Sequence, residues 1–410
     1  MGPYGYQSFW PHLITFLVSF SLSAAIAVAG WCGGLRAISP DTERAVQSSH
    51  VGRVPRLGGI GVIFGTTLAA AAFFPDQFWR GHLYIIVCAF PALALAILED
   101  VGRQTRPSLR LAVTFAAAAC YMVATEEYLP RTNVAIIDDL LAHPMFAMAL
   151  STVLVSAAVQ AMNLIDGLNG LCSGIAFLIC VSLAYIAEAD GNKPLFYLAT
   201  TSAVALLGFF VVNYPSGGLF LGDTGAYWVG FSLSLMSIHF LRQMESLAAP
   251  AMLLLFFWPA YDLFVTVCRR LISRRHLFTP DRLHPHQIAV RFVRRRLSGP
   301  QRRRAANPIA SFVIIVVALP PMFLGALFWN RPGVAWIALG VCILVYGLGY
   351  VWVLSSTNGG ATLRLKNRCR PSELNRSVIG LPYGSSRVGP TTDRSGSTGP
   401  KAPSFIKDGL

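Results

Sequence analysis

WPHLITFLVSFSLSAAIAVAGW, residues 10–31, carries no Asp, Glu, Lys or Arg from end to end. A helical run of that length is about as long as the hydrocarbon core of a bilayer is thick. Nothing basic precedes it, and the first cation of the chain is Arg36, just past its end. A signal peptide carries its charge first, so the segment reads as a membrane span. The charge bias places the N-terminus outside and Arg36 inside.

Working outward, ten further apolar runs lie near 58–74, 82–98, 110–125, 145–162, 171–187, 195–213, 224–241, 249–268, 309–328 and 333–354. They are continuous rather than alternating, which predicts helices and not a barrel. The composition agrees: 54% of residues are hydrophobic and 13% charged, about half the charged share of a soluble globule. The expected fold is therefore an all-α polytopic membrane protein of eleven transmembrane helices. Alternating loops from an outside N-terminus put 28 of the 33 Lys and Arg on one side, which predicts a cytoplasmic C-terminus. Residues 1–354 form the expected transmembrane region, with a basic cytoplasmic loop at 269–308. Residues 355–410, rich in Gly, Ser, Pro and Arg without apolar periodicity, are expected to be a disordered tail.

The net charge of +14 is then a property of the cytoplasmic face, suited to anionic lipid. The basic loops lack interleaved aromatics, so nucleic acid is not an expected partner. The eight cysteines are scattered singly with no C-x-x-C pair, which argues against a zinc site or a disulfide framework.

Carboxylates at or inside spans are the next signal, since the bilayer tolerates them poorly. Glu99-Asp100, Asp166, Asp223 and Asp262 all fall on or near the predicted cytoplasmic face. Such a set suggests a divalent-cation site, because Mg²⁺ takes one or two carboxylates plus phosphate and water. In MNLIDGLNGL (162–171), Asn163, Asp166 and Asn169 are spaced to share one helical face; a polar seam between helices would use the same pattern. In FLGDTGAYWVGF (220–231), Asp223 opens an apolar run, where it is either a helix N-cap or an anion-handling terminus. His284 and His286 flank Pro285, which makes a regular helix there less expected.

These motifs together resemble the polyprenyl-phosphate N-acetylhexosamine-1-phosphate transferases, the glycosyltransferase family 4 type. SSHVGRVPRLGGIGV (48–62) is similar to that family's H-x-x-P-T-P-R-x-G-G loop, and LEDVGRQTRPSLRL (98–111) takes the place of its aspartate-rich segment. PAYDLFVTVCRR followed by FTPDRLHPHQ is similar to its P-x-x-D, R-R and PDR-x-H-x-H-H run. This chain departs at four positions: Glu99 and Asn169 stand where the family has Asp, Gln287 where it has His, and Ala226 where it has Ser. The first two departures resemble a branch linked to surface polysaccharides.

The resemblance implies transfer of a sugar 1-phosphate from a UDP-N-acetylhexosamine to undecaprenyl phosphate, with Mg²⁺ or Mn²⁺ as cofactor. It implies Glu99, Asp100 and Asp166 as catalytic residues, and Asp223 with Asp166 as metal ligands. Arg56, Asn163, Asn169, Arg282, His284 and His286 would bind substrate. The expected setting is the inner membrane of a bacterium, in contact with the lipid bilayer, as a homodimer. An inactive scaffold, or a transporter or flippase, is the alternative expectation; a transporter would place its acids near the bilayer midplane.

Overall fold

A computed structural model of the chain describes residues 9–33, 54–73, 76–272, 284–299 and 302–368. It comprises α1 (Trp10–Trp31), α2 (Gly58–Phe73), α3 (Asp76–Asp100), α4 (Pro107–Thr125), the short α5 (Ala135–Leu141), α6 (Pro144–Ile165) and α7 (Leu171–Asp190). There follow α8 (Lys193–Asn213), α9 (Gly222–Gln243), α10 (Ala249–Leu255), α11 (Phe257–Ile272), α12 (Pro285–Arg296), α13 (Arg302–Leu327) and α14 (Pro332–Arg368). Among the described residues there is no strand. One compact unit spans Met1–Val353. The last helix continues to Arg368, past the boundary placed at 354, and residues from 369 lie outside the described residues.

Every one of the eleven apolar runs is helical over its described residues, but not every one is by itself long and apolar enough to cross a membrane. Among the described residues, eight helices are long and apolar enough to cross a membrane, or nine if α10 and α11 form one broken span. Those two are bent by 79° at Phe256. Pro259 lies one turn beyond the break; it has no N–H to offer the carbonyl of Leu255, and its ring crowds that carbonyl. The run at 249–268 is therefore not one straight helix. α2 is too short for a straight crossing.

α9 is less apolar than the outer helices for the reason that makes it central. It is enclosed by α2, α3 and α6, and Tyr227, Trp228, Phe231 and Phe240 along it are fully buried. A helix surrounded by protein can carry polar residues that lipid would exclude. Ser232, Ser234 and Ser237 return their hydroxyls to the carbonyls of Trp228, Gly230 and Leu233, so no hydroxyl is left unpaired. The outermost helices show the opposite: only 17% of the apolar stretch of α1 or α14 is buried, against 67% for α7. The multi-helix, lipid-facing surface makes this a multi-pass membrane protein.

Close packing at the start of α9 rests on glycine. A Cβ on Gly59 of α2 would lie 2.3 Å from the Cα of Gly225, so the two backbones touch where both lack side chains. That contact brings the 54–59 segment onto the N-terminus of α9.

Candidate active site

Asp100 ends α3 and sits against the first turn of α9. Its Oδ1 accepts the backbone N–H of Asp223 at 2.8 Å. Its Oδ2 accepts the N–H of Thr224 at 2.9 Å and the Thr224 hydroxyl at 2.7 Å. α9 has no cap of its own, for Leu221 precedes it without a side-chain bond. The capping carboxylate is thus supplied by another helix. Asp223 is not the N-cap that its sequence position suggested; it lies inside the first turn, with its side chain directed elsewhere.

That direction is toward Arg110 of α4, whose Nη1 donates to Asp223 Oδ2 at 2.5 Å. Both side chains are mostly buried, at 19% and 15% exposed. The segment at 55–59 pairs with 220–221: Phe220 N–H donates to Pro55 O, Gly58 N–H to Phe220 O and Gly59 N–H to Leu221 O, each at 2.9 Å. Gly222 has φ +79°, and a Cβ there would lie 2.0 Å from Arg56 O. Only glycine fits a left-handed residue pressed against another strand of backbone.

Asp166 completes the group. It follows α6 as the C-cap residue and accepts the Gly222 N–H. Burial pushes its carboxyl well above the usual range, the Arg56 guanidinium pulls it back, and Asp223 and Asp100 push it up again. Asp100, Asp166 and Asp223 from three helices therefore face one another, with Arg56 and Arg110 as counter-charges. Glu99, beside Asp100, directs Oε2 to the N–H and hydroxyl of Thr105 at 2.9 and 3.0 Å, which ties it to the loop after α3.

A second cluster is built on α11. Asp262 and Thr266, one turn apart, are both buried. His286 Nδ1 lies 2.8 Å from Asp262 Oδ2, and His284 Nδ1 lies 3.5 Å from Oδ1 and 3.0 Å from Thr266 Oγ1. The two imidazoles stack with centroids 5.5 Å apart. A carboxylate at Nδ1 selects the tautomer that leaves Nε2 as the acceptor. His286 Nε2 comes within 3.2 Å of where a Cβ on Gly167 would sit, so this cluster adjoins the Asp166 turn. Pro285 does not prevent a helix here: it starts α12, with His284 in the cap position, because the first helical residue needs no N–H partner.

The expectation that Asn163, Asp166 and Asn169 share a helical face is corrected. α6 stops at Ile165, and residues 166–170 form a turn. Asn163, half-buried, receives the Asp166 N–H on its carbonyl at 3.3 Å. Asn169 is a buried brace: its N–H donates to Asn307 Oδ1 at 2.8 Å and its Nδ2 to Pro215 O at 3.0 Å. Asn213 extends the brace, taking the Gly170 N–H on Oδ1 at 2.5 Å and donating Nδ2 to Leu219 O at 2.5 Å. Sequence reading missed Asn213 and Asn307, which stand alone in apolar helices, and did not rank Arg110 or Thr266. An isolated Asn inside a span was the available signal. Arg282 lies outside the described residues.

Among the described residues, no group of three or more His, Cys, Asp or Glu side chains could by itself hold a metal ion. The donor set suits a cation that takes one or two carboxylates and completes its shell from phosphate and water. A half-buried Asp166 facing two other acids is the kind of excess charge such a cation offsets.

The model for glycosyl transferase family 4 matches residues 82–241. A probable undecaprenyl-phosphate N-acetylglucosaminyl 1-phosphate transferase of Bacillus subtilis is 24% identical over 68% of this chain and 75% of its own length. A decaprenyl-phosphate N-acetylglucosaminephosphotransferase of Mycobacterium leprae is 29% identical over 62% of this chain and 69% of its own. An undecaprenyl-phosphate alpha-N-acetylglucosaminyl 1-phosphate transferase of Thermotoga maritima is 27% identical over 69% and 81%.

Proposed function

We propose that this chain, whose residues 82–241 match the model for glycosyl transferase family 4, transfers an N-acetylhexosamine 1-phosphate from a UDP-sugar to undecaprenyl phosphate. The observation that carries the reading is the meeting of Asp100, Asp166 and Asp223 with Arg56 and Arg110 where α3, α4, α6 and α9 end or begin. Relatives that act on polyprenyl phosphates support it. The gathering of these acids at one end of the bundle favours a transferase over a transporter.

The chemical problem is an anion attacking an anion. An oxygen of the lipid phosphate forms a bond to the sugar-bearing β-phosphorus of the UDP-sugar. The bond from that phosphorus to the bridging oxygen breaks, and UMP leaves with the electron pair. A phosphate monoester is largely dianionic at neutral pH, so a single displacement needs little help from a base. The fixed cations Arg56 and Arg110 offset the repulsion between the phosphates and the charge on departing UMP. His286 Nε2, an acceptor held in place by Asp262, faces a donor group of the sugar, with His284 beside it.

Asp223 and Asp166 would hold Mg²⁺, or Mn²⁺ in its place, which when bound supplies positive charge to the phosphate oxygens. Asp100 works as a positioning residue, because its oxygens are engaged by the amides that hold Asp223. Glu99 orients the loop along which the lipid phosphate approaches. The finer topology belongs to the same reading: eleven crossings counting α2, α9 and the bent α10–α11 pair, N-terminus outside, C-terminus cytoplasmic. The site then faces the cytoplasm of a bacterial inner membrane, and the product begins a cell-surface polysaccharide on a homodimeric enzyme.

The test is UMP release by purified protein given undecaprenyl phosphate, Mg²⁺ and a panel of UDP-N-acetylhexosamines. Lipid-dependent release, lost with EDTA and in a folded Asp223→Ala variant, is the expected result. Full release by that variant would remove the assignment.

A further inference from the structure

A cavity of about 130 Å³ lies among α2, α3, α4, α8 and α9, away from the carboxylate cluster. Its polar residues mark which end it occupies. His82 is near the start of α3, which ends at Asp100; Tyr121 is near the end of α4, which begins beside Arg110; His239 is near the end of α9, which begins beside Asp223. Along α9 the wall runs from Trp228 to His239, about 16 Å of helix. That is about half the hydrocarbon thickness of a bilayer, so the slot is one leaflet deep.

The slot has an apolar body and a charged rim. Val62, Ile85, Leu198, Leu206, Leu233 and Met236 line the body. At the rim, Glu127 accepts the Tyr121 hydroxyl at 3.1 Å and faces His239 Nδ1 at 3.1 Å. The Glu127 and His239 side chains are 27% and 22% exposed, within reach of a ligand. Burial alone would raise the Glu127 carboxyl, but the bonds and charges of His239, Tyr121 and Arg242 hold it below the usual range. It is therefore an anion at neutral pH. Arg242, one turn past His239, is exposed and lies over the Tyr128 ring at 5.7 Å. An anion and a cation thus stand together at the level where α4 and α9 leave the membrane.

We propose that this slot binds one zwitterionic aminophospholipid, its acyl chain against the apolar wall, its ammonium on Glu127 and its phosphate on Arg242. A carboxylate has lone pairs for more than the two partners that Glu127 already has. An anionic headgroup would meet Glu127 with no compensating ammonium. A polyprenyl phosphate would lack the group that Glu127 recognises.

The experiment is native mass spectrometry of the delipidated full chain, back-titrated with undecaprenyl phosphate, or with a phosphatidylethanolamine or a phosphatidylglycerol of the same acyl chains. Retention of one phosphatidylethanolamine, with little phosphatidylglycerol, is expected. Glu127→Gln should weaken that retention about tenfold, the value of one charge-assisted hydrogen bond. Ser232→Trp, which fills the slot from α9, should abolish it. Equal retention of both lipids, preference for undecaprenyl phosphate, or retention unchanged in Glu127→Gln each overturns the proposal. If Ser232→Trp does not fold, Glu127→Gln alone decides.

Discussion

Asp100 Oδ1 accepts the backbone N–H of Asp223 at 2.8 Å, so a residue at the end of one helix sets the first turn of another. The same carboxylate takes the N–H and hydroxyl of Thr224. Loss of such a cap costs roughly 0.5–2 kcal/mol, and leaving buried amides unpaired adds about 1–3 kcal/mol. Asp100→Ala should therefore lower the melting temperature in detergent and reduce UMP release together. Asp100→Asn keeps one acceptor oxygen and should recover part of both. A stable Asp100→Asn protein with no turnover at all would instead point to Asp100 as a base.

Asn169→Asp restores the residue usual in the family but should destabilise this protein. The Nδ2 that donates to Pro215 O would become an oxygen facing a carbonyl, and the position is 3% exposed. A buried donor lost and a charge gained cost about 2–4 kcal/mol. The fall in melting temperature checks this; an unchanged value would mean the brace is not where the structure has it.

His286 and Asp262 act as one unit, with Nδ1 and Oδ2 2.8 Å apart. Asp262→Asn and His286→Ala should each raise KM for the UDP-sugar, and the double variant should do little more than either alone. Residues that share one interaction are non-additive by about 0.5–3 kcal/mol. Additive effects in the double-mutant cycle would separate the two residues.

Asp166 carries a pH signature. Its folded pKa lies above the ordinary carboxylate value, chiefly through burial, so folding takes up a proton. Its contribution to stability is greatest below about pH 4 and declines as pH rises, because the anion is costly in the folded state. Without divalent cation at neutral pH, Asp166→Asn should melt higher than the parent and lose turnover. The gain should shrink at acidic pH. A lower melting point at neutral pH would mean that Asp166 stabilises the fold.

Much of this was readable before the structure. Lipid contact forces long apolar runs, and every run found in the sequence is helical. The acids stood out because a bilayer makes each one expensive, and four of the five reach one cluster or the other. What could not be read was where each side chain points. The spacing of Asn163, Asp166 and Asn169 suggested one face only if the helix continued, and it ends at Ile165. Asn307 reaches Asn169, and Asn213 reaches Gly170, across sequence separations that no local pattern encodes.

The sequence by itself determined the class of the molecule and which residues were chemically out of place in a membrane, since both follow from the cost of moving each residue into hydrocarbon. Tertiary structure alone decided the roles. A carboxylate becomes a helix cap, an arginine partner or a histidine partner according to what another helix brings within about 3 Å. In this chain those partners come from α3, α4 and the 55–59 segment, all meeting at the start of α9.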